Sequence, residues 1–488
     1  MKQLTSADTS FLTMETATQF GHVGSLYVYD KGADYATTLR QIEERLHLLP
    51  PYRRQLVEVP FDLDHPYWIE SPNFDLDFHV RHIAVPPPGD REQLADLVAH
   101  LASLPLDRSR PLWEWYVIEG LESGGVGHFA KTHHATIDGA SGVELMTVLL
   151  DDNPVPSPPP PPTEPWRPDT VPSPAELLGR TFWNLAARPQ QAARAQFRLW
   201  QELMERSRDG SMERSFRQLL PPAPAGGWWP WAGDVEGGRA PAPTGVLPTR
   251  RAPRTPFNAT ITAHRRWSYV SVPLAEVKRV KSHFGVTVND VVLAVCAGAL
   301  RRWLVEHDAL PADPLLAMCP ISTRSGGEAD TYSNQVSAMI ASLGTDIEDV
   351  VERLRLINRS TVAAKEQFAA VPAAALQDFA QFAPPAVAAQ ASRLLAQTRI
   401  ADVVNPPFNV TISNVPGPRE PLYLAGAQLR HTYPVSIVTD GMGLNITVSS
   451  YLDGLDFGLI ACRELVPDLW RLNDWLADSL AELADAAT

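Results

Sequence analysis

The run Gly127-His128-Phe129-Ala130-Lys131-Thr132 has the alternation of a short strand, and it ends on His133-His134-Ala135-Thr136-Ile137-Asp138-Gly139. An apolar, helix-like stretch follows at once, over residues 143–150. A strand, a tight corner and a helix in some twenty-five residues commit this part of the chain to an α/β arrangement. Gly139 lets the backbone leave the corner at a positive φ or at close approach to a neighbour.

Two adjacent imidazoles at such a corner suit proton transfer. A neutral imidazole near its ordinary pKa can accept a hydroxyl proton at physiological pH, the task of a general base in acyl transfer. Two competing readings exist for His133 and His134: packing alone, or a metal site. A metal needs three or four matched ligands, and only Asp138 is offered nearby. Asp138 itself has two readings, either orienting His134 or fastening the turn.

The chain has 488 residues and a net charge of −14, with 44% hydrophobic and 20% charged residues. That length exceeds a single ordinary core, so two domains are expected. A strongly acidic balance argues against a nucleic-acid partner, which needs concentrated Lys and Arg. Cys296, Cys319 and Cys462 lie far apart inside apolar runs, as buried thiols of a reducing compartment do. The N-terminus lacks a signal-peptide apolar core, and no stretch reaches the ~18 apolar residues of a membrane span. A cytoplasmic protein that crosses no membrane is expected.

Along the chain, residues 22–30, 77–85, 113–119 and 125–132 read as strands, and 37–49 and 91–103 as helices. Residues 153–174 are packed with prolines, a composition that favours extended structure. A second Pro/Gly-rich stretch, 221–256, carries Trp228, Trp229 and Trp231. Between them 175–220 reads as one or two helices. The second half opens with a strand at 267–272 and helices at 274–284 and 288–306. Strands are then expected at 315–321, 335–342, 409–413, 431–437, 444–450 and 455–462, with helices over 347–397. The resulting division is 1–152, a crossover of linker and helices at 153–256, and 257–488.

Four segments in order resemble one family, the bacterial wax ester synthase/diacylglycerol acyltransferases. The His133–Gly139 corner is similar to their HHxxxDG signature, and Pro111-Leu112-Trp113 to their PLW segment. Asn289-Asp290 is similar to their ND segment. Ser413-Asn414-Val415-Pro416-Gly417 and 444–451 resemble their C-terminal domain. The resemblance implies two chloramphenicol acetyltransferase-like domains with mixed sheets and an active-site tunnel between them. It implies an O-acyltransferase that makes triacylglycerol from diacylglycerol, wax ester from a fatty alcohol, or both. The donor would be a long-chain acyl-CoA, a co-substrate, with no cofactor or metal. By the same resemblance His134 is the general base of a direct transfer, with His133 and Asp138 beside it. A donor on a carrier protein, as in condensation domains, and a catalytically weak lipid-binding homologue are the rivals. The protein is expected as a monomer or homodimer.

Other segments carry two readings each. Thr287-Val288-Asn289-Asp290 is a capping-box pattern as well as the family's tunnel-side pair. Thr411 and Ser413 fall on one face of a strand, where hydroxyls can steady a carbonyl oxygen gaining charge, with Asn414 beside them. Trp113 is expected in the first core and along a tunnel wall. Asp456-Phe457-Gly458 matches only the start of the DFGWG motif of plant-type acyltransferases. Gln19-Phe20-Gly21 stands where the family more often has Pro-Met before the histidine. Residues 174–220 hold eight arginines against five acids, with several bulky aromatics. Such a segment either lies on a membrane or lipid-droplet surface or braces the two domains.

Overall fold

The computed structural model of the chain describes residues 1–137, 139–184, 252–322, 336–370 and 399–488. Two six-stranded mixed sheets carry the fold. The first runs Tyr423–Leu424, Ala427–Val435, His22–Tyr29, Val126–His133, Trp113–Glu119, Val80–Ala84, antiparallel except for its last pair. The second runs Val336–Ser342, Leu316–Ser322, Val410–Pro416, Leu444–Tyr451, Gly454–Cys462, Arg265–Pro273. Val410–Pro416 is parallel to both of its neighbours there. A three-stranded sheet of Lys2–Gln3, Tyr67–Glu70 and Arg54–Val57 sits beside the first.

Each sheet buries one face under helices of its own half. Ile42 from helix Tyr35–Arg45 and Leu145, Met146 and Leu149 from helix Gly139–Leu149 pack on Trp115, Val117 and Ala130 of the first sheet. In the second, helix Val288–Glu306 is buried for most of its length against Ile412, Ile446 and Val448. Its apolar run has no polar face to offer solvent, so other elements must surround it.

The remaining faces meet. Leu26 and Phe129 of the first sheet, Leu94 and Val98 of helix Arg91–Ala102, and Trp267 and Ile460 of the second form one cluster. Strand Ala427–Val435 makes this junction close. A Cβ on Gly458 would stand 1.8 Å from the Pro434 carbonyl oxygen. Glycine is what admits that carbonyl, which also accepts from Trp267 Nε1 at 3.1 Å. Asp456 accepts from the Thr432 amide at 2.7 Å. The Asp-Phe-Gly triplet is thus a seam between halves.

Among the described residues the structure departs from the expected elements in three places, and two expected helical stretches lie partly outside them. Of residues 431–437, read as a strand of the second half, 431–435 belong to Ala427–Val435, which pairs with His22–Tyr29 in the first sheet. It covers an edge that would otherwise expose unpaired backbone groups, so a boundary at residue 257 does not separate the two sheets cleanly. Residues 77–85 divide into a helical turn, Leu76–His79, and strand Val80–Ala84. The Asp75 side chain caps that turn by accepting from the Asp77 amide at 3.1 Å. Strand Val126–His133 alternates in sequence, yet all eight residues are buried, because both faces of the sheet are covered. Within 175–220 a helix is described over 174–184, and 185–251 lie outside the described residues. So do 371–398 of the second predicted helical region, which otherwise contains helix Val350–Ala370. All three cysteines are buried as free thiols.

Candidate active site

Strand Val126–His133 ends on His133, and His134 opens the turn that follows. His133 shares its face with Phe129 and Lys131, towards helix Arg91–Ala102 and the second half. The backbone then turns: the Thr136 amide donates to the His133 carbonyl at 2.9 Å.

His133 is 1% exposed and held at both ring nitrogens. The Ala135 amide donates to Nδ1 at 3.1 Å, so the ring proton sits on Nε2, which donates to Glu15 Oε1 at 3.2 Å. Glu15 Oε1 also accepts from the Gly21 amide at 2.7 Å, and Oε2 from Arg108 Nη2 at 2.7 Å. Burial pushes the Glu15 carboxyl up, but His133, the Gly21 amide and Arg108 outweigh it and hold it at about 2. Arg108 reaches on to Glu58 at 2.9 Å and to the Leu12 carbonyl at 2.7 Å.

His134 is partly exposed. Its ring stacks on Phe11, centroids 4.0 Å apart and planes 10° from parallel. Its amide donates to the Gly21 carbonyl at 2.8 Å. Gly21 therefore touches both histidines, and a Cβ there would fall 2.7 Å from His133 Nε2 and 2.5 Å from the Phe11 carbonyl oxygen.

Beneath the corner lies a buried polar layer. Lys131, wholly buried, pairs with Glu114 at 2.8 Å and donates to the carbonyls of Leu101 and Leu104. Burial pushes its ammonium below the ordinary value, and Glu114 opposes that shift. His22, opposite His133 in register, contacts the Ala102 carbonyl at 2.9 Å through Nε2. Burial, then the Lys131 charge, pushes His22 down to about 3, so it stays neutral.

The remaining predicted residues are spread over the molecule. Asp138 lies outside the described residues, and Gly139 begins helix Gly139–Leu149. Asp290 closes a capping box with Thr287 and accepts from Asn358 at 2.8 Å and Thr361 at 2.6 Å. Burial raises its pKa, but these donors outweigh that and lower it. Asn289, its neighbour in the first turn, is partly buried. Trp113 is core: 1% exposed, stacked on Tyr52 and His79, with Nε1 donating to the Tyr52 carbonyl at 2.8 Å. Thr411 and Ser413 share a face, opposite core residues Val410 and Ile412, with Asn414 following. Thr411 stands in register with Asn445, and Asn445 with Ile460. Ile460 belongs to the cluster shared with the first sheet, so both hydroxyls lie on the face turned towards it.

A cavity of about 30 Å³, lined by Lys2, Arg54, Trp68, Ala135 and Thr136 among others, abuts the corner. Its size suits water, not an acyl chain. Among the described residues no group of three His, Cys, Asp or Glu stands together to hold a metal.

Sequence reasoning missed Glu15, Phe11 and the role of Arg108. Glu15 is 118 positions from His133. No local spacing links them, although Arg108 lies just upstream of Pro111-Leu112-Trp113 and Gly21 in the unusual Gln19-Phe20-Gly21 run.

Comparison with known proteins adds what geometry alone cannot. Residues 4–226 and 232–292 match the wax ester synthase/diacylglycerol acyltransferase catalytic domain, and 332–484 match the WS/DGAT C-terminal domain. A Mycobacterium tuberculosis protein bearing the name diacylglycerol O-acyltransferase is 35% identical over 501 residues, covering 98% of each chain. The solved wax ester synthase/diacylglycerol acyltransferase of Marinobacter aquaeolei VT8 is 30% identical with a TM-score of 0.65, covering 100% of both chains. A condensation domain of the CDA synthetase, 16% identical at a TM-score of 0.54 over 100% of this chain and 97% of its own, shares the fold.

Proposed function

The chain belongs to the wax ester synthase/diacylglycerol acyltransferase family, and from that premise we propose a direct acyl transfer in which His134 is the general base. It is an acyltransferase that forms neutral lipid. The donor we assign is a long-chain acyl-CoA, and the acceptor diacylglycerol or a fatty alcohol.

The observation that carries this reading is the unequal state of the two histidines. His133 is 1% exposed with both ring nitrogens held within the protein, whereas His134, the first residue of the turn, is partly exposed. The His134 imidazole is therefore the group we assign to proton transfer. It takes the acceptor's hydroxyl proton as that oxygen attacks the thioester carbonyl carbon. The tetrahedral intermediate collapses, the C–S bond breaks, and the CoA sulfur leaves with the proton returned from the imidazolium. No acyl-enzyme forms. Hydroxyls of Thr411 and Ser413, on the inward face of the second sheet, are the groups we assign to the carbonyl oxygen as charge develops. We assign Asp138 to fastening the corner.

Both substrates partition into lipid, so the protein is read as approaching a membrane or droplet surface without crossing it. Among the described residues no single helix is long and apolar enough to span a bilayer. Phe182 and Trp183 stand 68% and 78% exposed on helix 174–184, at the start of the arginine-rich segment.

The deciding assay offers radiolabelled palmitoyl-CoA with hexadecanol or dioleoylglycerol to the purified protein and its His134→Ala variant. Loss of at least ~10²-fold in turnover with an unchanged melting curve is expected. A folded variant keeping most of its turnover overturns the base assignment.

A further inference from the structure

We propose that the segment from Phe11 to Gly21 is the positioning element of the histidine corner, with Glu15 fixing His133 and Phe11 fixing the ring plane of His134. The proposal rests on His134 being the base. Three contacts tie the segment to the corner: Glu15 with His133 Nε2, the Phe11 ring on His134, and the Gly21 carbonyl accepting from the His134 amide. Glu15 also closes the segment on itself by accepting from the Gly21 amide, so its carboxylate ties the segment's interior to its last residue. Arg108 pins that carboxylate from the far side and binds the Leu12 carbonyl at the end of helix Ser6–Thr13.

The middle of the segment is gripped by the other half of the molecule. Arg265, at the start of strand Arg265–Pro273, donates to the Thr18 carbonyl and lies 5.3 Å over the Phe20 ring. The Asp440 amide donates to the Gln19 side chain at 2.7 Å. How the second half is seated is therefore transmitted to the histidines through eleven residues. A general base works only within a narrow geometry, and a misplacement of about 1 Å can cost on the order of 10²-fold in rate. An imidazole on a turn, with one ring face against a phenyl ring and its amide on a strap, is placed by those contacts.

Steady-state kinetics of the full chain test this, with activity expressed per folded protein from thermal melts. Glu15→Ala is expected to lower kcat by roughly 10- to 100-fold, with KM changed by less than about threefold. Glu15→Gln is expected to recover about tenfold of that loss, because its amide oxygen still accepts from His133 and Gly21. Phe11→Leu keeps apolar bulk without a flat ring, and a several-fold fall in kcat alone is expected. Activity that follows only the folded fraction, or a Gln variant no better than the Ala variant, overturns the proposal. His134→Ala is assayed alongside. If it keeps its turnover, the base assignment fails; if it is inactive while both Glu15 variants match the parent, only the positioning role fails.

Discussion

Strands Val126–His133 and Leu444–Tyr451 lie inside their respective six-stranded sheets, buried almost throughout, and differ in what they bury. The first carries His128, Lys131 and His133; the second carries Asn445, Thr447 and Ser449. Neutral groups are satisfied close to home: Thr447 donates to Asn445 at 2.9 Å, and Asn445 to the Ile437 carbonyl at 3.0 Å. The strand with ionisable groups draws acidic partners from other segments, Glu114 of the neighbouring strand for Lys131 and Glu15 for His133. A buried charge must be paired or it becomes neutral, whereas a buried hydroxyl needs one hydrogen bond. The first strand therefore holds its ionisable groups in pairs and the second holds neutral groups, while the second half also grips the segment beneath the histidines.

The largest expected effect follows from that contrast. Glu114→Ala strands the Lys131 ammonium, which should cost about 3–5 kcal/mol of stability. Adding Lys131→Met should return much of it, as chemical denaturation of the single and double variants will show. If Glu114→Ala costs no more than a neutral substitution in Leu444–Tyr451, the two strands do not differ as argued.

Glu15 comes next, with a defined pH window. Its folded pKa, about 2, lies below the ordinary 4.5, so its stabilisation is complete above 4.5 and fades as pH falls towards 2. Melting curves of the parent and Glu15→Gln should differ by roughly a few degrees at pH 6, with the gap narrowing below pH 4.5 and closing only near pH 2. A gap that stays constant over this range excludes the carboxylate as its source.

Asp290→Ala removes a cap and the acceptor for Asn358 and Thr361, and should cost about 1–2 kcal/mol. Its kcat per folded protein should stay within a few-fold of the parent. A fall of orders of magnitude would move this residue from scaffold to chemistry.

The smallest effect belongs to the neutral strand. Thr447→Val keeps shape and deletes one local hydrogen bond, for about 1 kcal/mol or less. A cost matching that of Glu114→Ala would show that neutral groups there are as tightly constrained as charged ones.

The strand–corner–helix unit around His133-His134 was legible because its signal is local: alternation, then a glycine, then an apolar run. Helix Val288–Glu306 was legible to its ends for the same reason, and its capping box forms with Asp290 where a Glu is more usual. The fully buried state of Val126–His133 was not legible, since alternation in sequence implies a solvated face. Lys131 can lie inside only because Glu114 and two carbonyls meet it there.

The sequence by itself determined the family, through short motifs, and through periodicity the alternation of strands and helices in both halves, with a histidine pair at a strand end. Only the tertiary structure decided that Ala427–Val435 joins the first sheet, and that Glu15, Gly21 and Arg108 converge on His133. Apart from the Gly21–Glu15 bond, those contacts join residues from 93 to some four hundred positions apart. Hydrogen bonding and close packing set such pairings in space, and periodicity along the chain carries no trace of them.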